Sequence, residues 1–268
     1  MSAAPWSDAG LLELGPAQAD VWVAFVDEAF DAVAHRPELD VMSRGEWDRL
    51  GRFVFEKDRR RYRVTRLLVR HVLSRYVPIP PREWTFAATD FGRPLITNDD
   101  AAVQPIRFNI SHSDKVVMLA VTRGLDVGID VEDLDRDVPL DAAPSFFAAD
   151  EVRQLSAMPD ASKPRRFLDF WTLKESYIKA RGKGLSLPLD RFSFDLEHEG
   201  ELRFAVDPRL HDVAQRWSFW TWQPSPGSVA ALCLGLPAGT PACIETRRVI
   251  PLLVEEPMGF HVQRSSAA

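Results

Sequence analysis

The spacing of apolar residues changes several times along this chain, and each change marks an element. Residues 21–26, Val-Trp-Val-Ala-Phe-Val, are a continuous β-type run that predicts a buried strand. Residues 27–36 fit no single period, and Pro37 closes them. Ser43, three positions before Glu46, predicts a capping box opening a helix. Helical spacing then continues to Tyr76, where Pro78, Pro80 and Pro81 stop it. In that stretch Val64, Leu68 and Val72 form one ridge, while Arg59, Arg63, Arg66 and Arg70 form a stripe expected to be a solvated face. Strand patterns follow at residues 84–87, 107–113, 116–121 and 125–131, the last two joined as a hairpin by Thr122-Arg123-Gly124. A short helix is expected from Asp150 to about Met158.

The longest amphipathic pattern begins at Pro164, which suits a first turn, and stops at Gly182, which suits a left-handed cap. Phe167, Phe170, Trp171, Tyr177 and Ile178 share its apolar face. The apolar run after Gly184 is expected to fold back over the helix end. Strand patterns at residues 191–196, 202–206, 217–222 and 229–236 come next, with a further strand expected at 247–254. Helix plus strands, twice over, predicts an α+β fold of two similar halves dividing near residue 125. The expected divisions are a mobile arm (1–18), an N-terminal half (19–124), a C-terminal half (125–236) and a tail (237–268).

A length of 268 residues allows a large core. No window approaches the apolar run of a membrane span, and the N-terminus lacks the basic start and apolar stretch of a secretory signal. Cys233 and Cys243 lack metal-ligand spacing and are expected to be buried small hydrophobes, so the compartment expected is the cytoplasm. The net charge of −6 argues against general nucleic-acid binding. It conceals a local excess, since residues 57–75 hold eight Lys or Arg and the single acid Asp58.

Several side chains stand out against this background. Lys174 falls in the middle of an apolar stripe, where an ammonium is costly unless an anion meets it. It either snorkels outward, pairs with a carboxylate elsewhere, or joins Glu175 and Lys179 in holding an anionic, phosphorylated ligand. Asp130 and Glu132 are two apart on a strand and share a face. They are solvated at a strand end, or they are oxygen ligands for Mg2+. Arg61 projects toward the core side of its helix, for pairing with a carboxylate or for reaching a phosphate in a cleft. Ser111-His112-Ser113 ends a strand with groups that offer hydroxyls and an imidazole to a phosphate, or that satisfy the local turn. Arg93, in the turn Asp90-Phe91-Gly92-Arg93-Pro94, is a further exposed cation.

Three blocks, taken together, resemble the 4′-phosphopantetheinyl transferases of the long, two-halved type that activates peptide and polyketide synthases. They are Phe108-Asn109-Ile110-Ser111-His112-Ser113, then Gly128-Ile129-Asp130-Val131-Glu132, then Trp171-Thr172-Leu173-Lys174-Glu175-Ser176-Tyr177-Ile178-Lys179-Ala180 with Gly182-Lys183-Gly184-Leu185. Weaker resemblance runs from about Val21 to Leu236 and leaves both chain ends uncovered. The resemblance implies a pseudo-twofold pair of α+β halves with coenzyme A in the cleft between them. It implies transfer of the phosphopantetheine arm of coenzyme A to a serine of an acyl or peptidyl carrier protein, with release of adenosine 3′,5′-bisphosphate.

By position, the resemblance implies Asp130, Glu132 and Glu175 as ligands of Mg2+, with Mn2+ as an alternative ion. It implies Lys174 and Lys179 as phosphate contacts, with Lys179 on the transferring phosphate. Glu175 is the implied base and Glu132 the other choice. Arg61, Arg93, Ser111 and His112 are the implied holders of the adenosine phosphates. Two departures bear on those contacts: Arg93 stands where a Lys is common, and Arg60 where a His often precedes the arginine. The expected protein is a monomer without nucleic-acid or membrane partners. Its rivals are a non-catalytic relative that binds coenzyme A or a carrier domain, and a metal-dependent nucleotide hydrolase.

Overall fold

The computed structural model describes residues 10–89, 94–237 and 240–266. The first half runs β1 (Gln18–Phe25), α1 (Val26–Val33), α2 (Arg44–Leu50), α3 (Glu56–Leu73), β2 (Phe86–Ala88), β3 (Pro94–Ile96), β4 (Ile106–His112) and β5 (Val116–Arg123). The second runs β6 (Val127–Asp133), α4 (Ala143–Phe146), α5 (Ala149–Ala157), α6 (Lys163–Arg181), β7 (Phe192–Asp195), β8 (Arg203–Val206), β9 (Ser218–Trp222) and β10 (Ser228–Leu234). Each half opens with a strand, passes through a long helix and a small two-stranded arm, and closes with two more strands. The sheet orders correspond as well, β1-β5-β4 in one half and β6-β10-β9 in the other.

The two sheets pack face to face. Val21, Val23, Met118 and Ala120 of the first meet Ile129, Val131, Ala230 and Leu232 of the second in a shared apolar layer. The alternate residues point outward to the helices. Trp22, Leu119 and Val121 pack on Val64, Leu68 and Val72 of α3, while Ala231, Cys233 and Phe219 pack on Phe170, Leu173 and Tyr177 of α6. Period-two alternation in the strands thus supplies a helix–sheet–sheet–helix stack from one sequence pattern.

Several local expectations hold. Ser43 and Glu46 form a complete capping box, and Gly182 ends α6 in the left-handed conformation at φ 65°. Others are corrected. The helix expected from Ser43 to Tyr76 is two helices, because the chain breaks between Leu50 and Glu56. Strands β5 and β6 do not form a hairpin: β5 lies between β1 and β4, and β6 pairs with β10. Gly124, at φ 77°, instead carries the chain from one sheet to the other.

The segment expected as a tail builds structure in both halves. Its strands are β11 (Cys243–Ile250), β12 (Val254–Pro257) and β13 (Val262–Ser265). Strand β11 runs parallel to β1, β12 pairs with β11, and β13 pairs with β9. In the arm expected to be mobile, Leu14 is buried and the Leu12 N–H donates to Arg75 O at 2.6 Å. Cys233 is buried as expected, whereas Cys243 is exposed. The arginine stripe is a solvated face only at its start, where the Arg59 side chain is 43% exposed. Arg70 is only 2% exposed and donates to Pro81 O, Trp84 O and Glu46. Among the described residues no helix is long and apolar enough to cross a membrane.

Candidate active site

Strand β4 is an edge of one sheet and β6 an edge of the other, and the two edges meet. The upper face of β4 carries small polar side chains at alternate positions, and each reaches β6. Asn109 Oδ1 accepts from Ile129 N at 2.9 Å, Ser111 Oγ accepts from Val131 N at 3.3 Å, and Ser113 Oγ donates to Asp133 Oδ1 at 2.7 Å. Side chains thus replace backbone pairing along the seam between the halves.

Helix α6 lies over the same stretch of β6 at very short range. A Cβ built on Gly128 would sit 1.9 Å from Ser176 O and 2.5 Å from Ala180 N, so only glycine admits this approach. The close contact puts Lys179 beside Asp130. Lys179 Nζ donates to Asp130 Oδ1 at 2.6 Å, to Ser111 Oγ at 2.9 Å and to Ile129 O at 3.2 Å. Ser111 Oγ donates to the same Oδ1 at 2.7 Å. Asp130 Oδ2 is buried without a hydrogen-bond partner among the described residues.

The other two acids share this field. Burial raises the Glu175 carboxyl to about 7, with the negative charges of Asp130 and Glu132 adding to it and Lys179 opposing. Glu132 is raised for the same two reasons, burial and then Asp130, while its ion pair with Arg136 at 2.5 Å works the other way. Among the described residues no three acids, histidines or cysteines stand arranged as a finished metal-binding group. Glu132 is turned to Arg136 and one Asp130 oxygen is held by Lys179. The donor set nevertheless fits a hard divalent cation: two carboxylates with raised pKa values lie beside a third that has an unpartnered buried oxygen.

A cleft of about 780 Å³ in the N-terminal half runs between α2, α3 and the β2–β3 arm and ends at His112, next to this cluster. Arg61 lines it, 22% exposed, held by Asp58 at 2.6 Å and Asp114 at 2.5 Å. Both readings of Arg61 therefore apply, a paired arginine and one facing a cleft. Desolvation lowers the His112 imidazole pKa, and the Arg61 charge lowers it further. Deeper in, Arg66 Nε is buried without a hydrogen-bond partner among the described residues, and its guanidinium lies 3.9 Å from Glu46 and over the Tyr62 ring.

Two implied contacts are corrected. Lys174 is not a phosphate contact. It is 1% exposed, and its ammonium is met by Glu151 Oε2, Leu189 O and Phe192 O, each at 2.8 Å, with the Phe192 ring 4.3 Å away. Burial lowers the Lys174 pKa and raises that of Glu151, while each charge partly restores the other. Ser111 is buried, and its one proton goes to Asp130 rather than outward to a ligand. Arg93 and its turn lie outside the described residues. Asn109 and Asp133 are not singled out by the sequence reading, although polar residues at every second position opposite Ile106, Phe108 and Ile110 are a visible signal.

The sequence profile of the 4′-phosphopantetheinyl transferase superfamily matches residues 126–233, and that of the 4′-phosphopantetheinyl transferase N-terminal family matches residues 34–123. The boundary between them is where the chain crosses from one sheet to the other. The chain is 30% identical over 217 residues to 4′-phosphopantetheinyl transferase Sfp of Bacillus subtilis, covering 81% of this chain and 92% of that one. It is 31% identical over 194 residues to 4′-phosphopantetheinyl transferase HetI of a Nostoc species, covering 72% and 78%. A Thermotoga maritima holo-acyl-carrier-protein synthase structure aligns over 41% of this chain and 61% of that chain, with TM-score 0.33 and 24% identity, too slight a likeness to carry weight. Two like halves, with an acid cluster at their seam and a cationic cleft beside it, make this an enzyme of the transferase class. The chain belongs to the 4′-phosphopantetheinyl transferase family.

Proposed function

We propose that this protein transfers the 4′-phosphopantetheine arm of coenzyme A to a serine of an apo carrier protein, with Asp130, Glu132 and Glu175 holding Mg2+ or Mn2+. One observation carries the reading: at the end of a cationic cleft, an Asp130 oxygen is buried without a hydrogen-bond partner among the described residues, and Asp130 shares its field with two further acids, one of them raised to about 7. Such a cluster is costly without a counter-cation. When bound, the ion would neutralise charge that builds on the pyrophosphate oxygens during transfer.

The chain's own groups do the rest. Lys179, beside Asp130 at the seam, is the proposed partner of the transferring phosphate. Glu175 takes the proton of the carrier serine as its oxygen bonds to phosphorus, with Glu132 the other choice of base. The phosphoanhydride bond breaks, and adenosine 3′,5′-bisphosphate leaves. Arg61, His112 and Arg93 are the proposed holders of the nucleotide phosphates. Arg66 and Arg49, both cations lining the cleft over the Tyr62 ring, add to that field. Incubation with coenzyme A, Mg2+ and an apo carrier domain, followed by weighing of the carrier, tests the reading. A gain of one phosphopantetheine per carrier is expected. An unchanged carrier points to a binding protein, and phosphate released from nucleotides without any carrier to a hydrolase; either result overturns it.

A further inference from the structure

We propose that Ser111 is a positioning residue that ties down one oxygen of Asp130 and so aims the other at the cation, an inference that rests on Asp130 being a ligand. The direction of the Ser111 proton is forced. A hydroxyl has one proton to give and two lone pairs to receive with. Its neighbours Lys179 Nζ, at 2.9 Å, and Val131 N, at 3.3 Å, only donate, so they occupy the lone pairs. The proton must then go to Asp130 Oδ1, 2.7 Å away. That oxygen also receives Lys179 at 2.6 Å, while Oδ2 receives no hydrogen bond among the described residues.

The carboxylate is therefore held by one oxygen with its rotation fixed, and the second oxygen is left free in a buried site. Groups that orient a metal ligand in this way set its affinity without touching the metal. The same bookkeeping argues against Ser111 as a phosphate contact, because a phosphate oxygen needs a donor and this hydroxyl has none left. The strand ladder itself is shared with Asn109, which holds Ile129 N but touches no carboxylate.

This difference provides the control. Mn2+ affinity is measured by the loss of its free paramagnetic signal on titration into the full chain. Ser111→Ala is expected to weaken Mn2+ binding by about 10- to 100-fold. Coenzyme A affinity without metal should stay unchanged, and turnover should recover at high Mn2+. Asn109→Ala should lower the melting temperature and leave Mn2+ affinity as it was. Ser111→Cys, similar in volume but a poor donor, should weaken Mn2+ binding as alanine does and carries the test if the alanine variant does not fold. Wild-type Mn2+ affinity in whichever folded Ser111 variant is tested, or loss of metal-free coenzyme A binding there, overturns the proposal. Asp130→Asn separates the two levels: if it keeps wild-type Mn2+ affinity, the ligand assignment itself is wrong, whatever Ser111 does.

Discussion

Lys174 and Glu175 are neighbours on α6 in opposite electrostatic situations. Lys174 is enclosed with its partner Glu151, both essentially without exposure, and every group around its ammonium is an acceptor. Removing one member of such a pair leaves the other charged and buried. Lys174→Met should therefore cost about 3–5 kcal/mol in denaturant unfolding. Glu151→Gln added to it should recover part, since Glu151 also accepts from Ala148 N and Phe194 N and glutamine keeps an acceptor there. A variant of normal stability with a raised coenzyme A requirement would restore the phosphate role. Glu175 has no such partner and is crowded by like charge. Its carboxyl is raised from 4.5 to about 7, so the folded state holds that proton more tightly than the unfolded chain. Its contribution to stability is full below 4.5 and is lost as pH rises through about 7. The loss approaches about 2–3 kcal/mol after allowance for partial exposure. With chelator present, Glu175→Gln should melt like the parent near pH 5 and above it at pH 8. Identical melting across that range would remove the like-charge account.

Elements bring these side chains together through close approach rather than through long reach. Gly128 lets α6 rest on β6, and Asn109, Ser111 and Ser113 stitch β4 to β6 across the sheet boundary. Gly128→Ala must push the helix back from atoms as near as 1.9 Å, both backbone, so no rotamer can relieve it. We expect a stability loss of about 3 kcal/mol or more and loss of transfer even in the folded fraction. An alanine variant with the parent's melting temperature and rate would show that the spacing is not required. Much of this scale was legible in the sequence. Apolar period marked α6, the helical stretch that contains α3, and most of the strands though not β3, β12 or β13, and cap residues marked where α2 begins and α6 ends. The pairing of strands was not legible. Residues 116–131 carry a good hairpin signal, yet the turn at Gly124 serves a crossing between sheets: β5 pairs with β1 and β4, β6 pairs with β10, and the two strands meet through the apolar layer between the sheets. The Lys174–Glu151 pair and the Arg70–Glu46 pair were hidden for a similar reason: an acid 23 or 24 residues away is brought near only by tertiary packing.

Over the whole molecule, correspondence between the halves is complete without the last thirty or so residues, and the second of the two matched profiles ends at Cys233. A tail could then be dispensable. The sheet says otherwise. Strand β11 covers the side of β1 away from β5, so its loss would open the backbone of a central strand. The strand buries Val249, and the turn after it buries Leu252, against the first half. Leu252 N donates to His71 Nδ1 at 3.1 Å, which leaves His71 Nε2 to face Glu255 at 2.9 Å, with Arg75 2.8 Å from the same carboxylate. A chain ending at Leu236 would thus leave His71 and Arg75, both buried, without their acid. It would also uncover apolar surface between the sheets. We expect that truncation to yield insoluble protein or to lower the melting temperature by more than about 10 °C, the equivalent of a few kcal/mol in a chain of this size. A chain ending at Pro257 loses only the edge strand β13 and should melt closer to the parent. If the shorter chain unfolds at the parent's temperature with undiminished transfer, the two halves alone make the fold and β11 is an accessory.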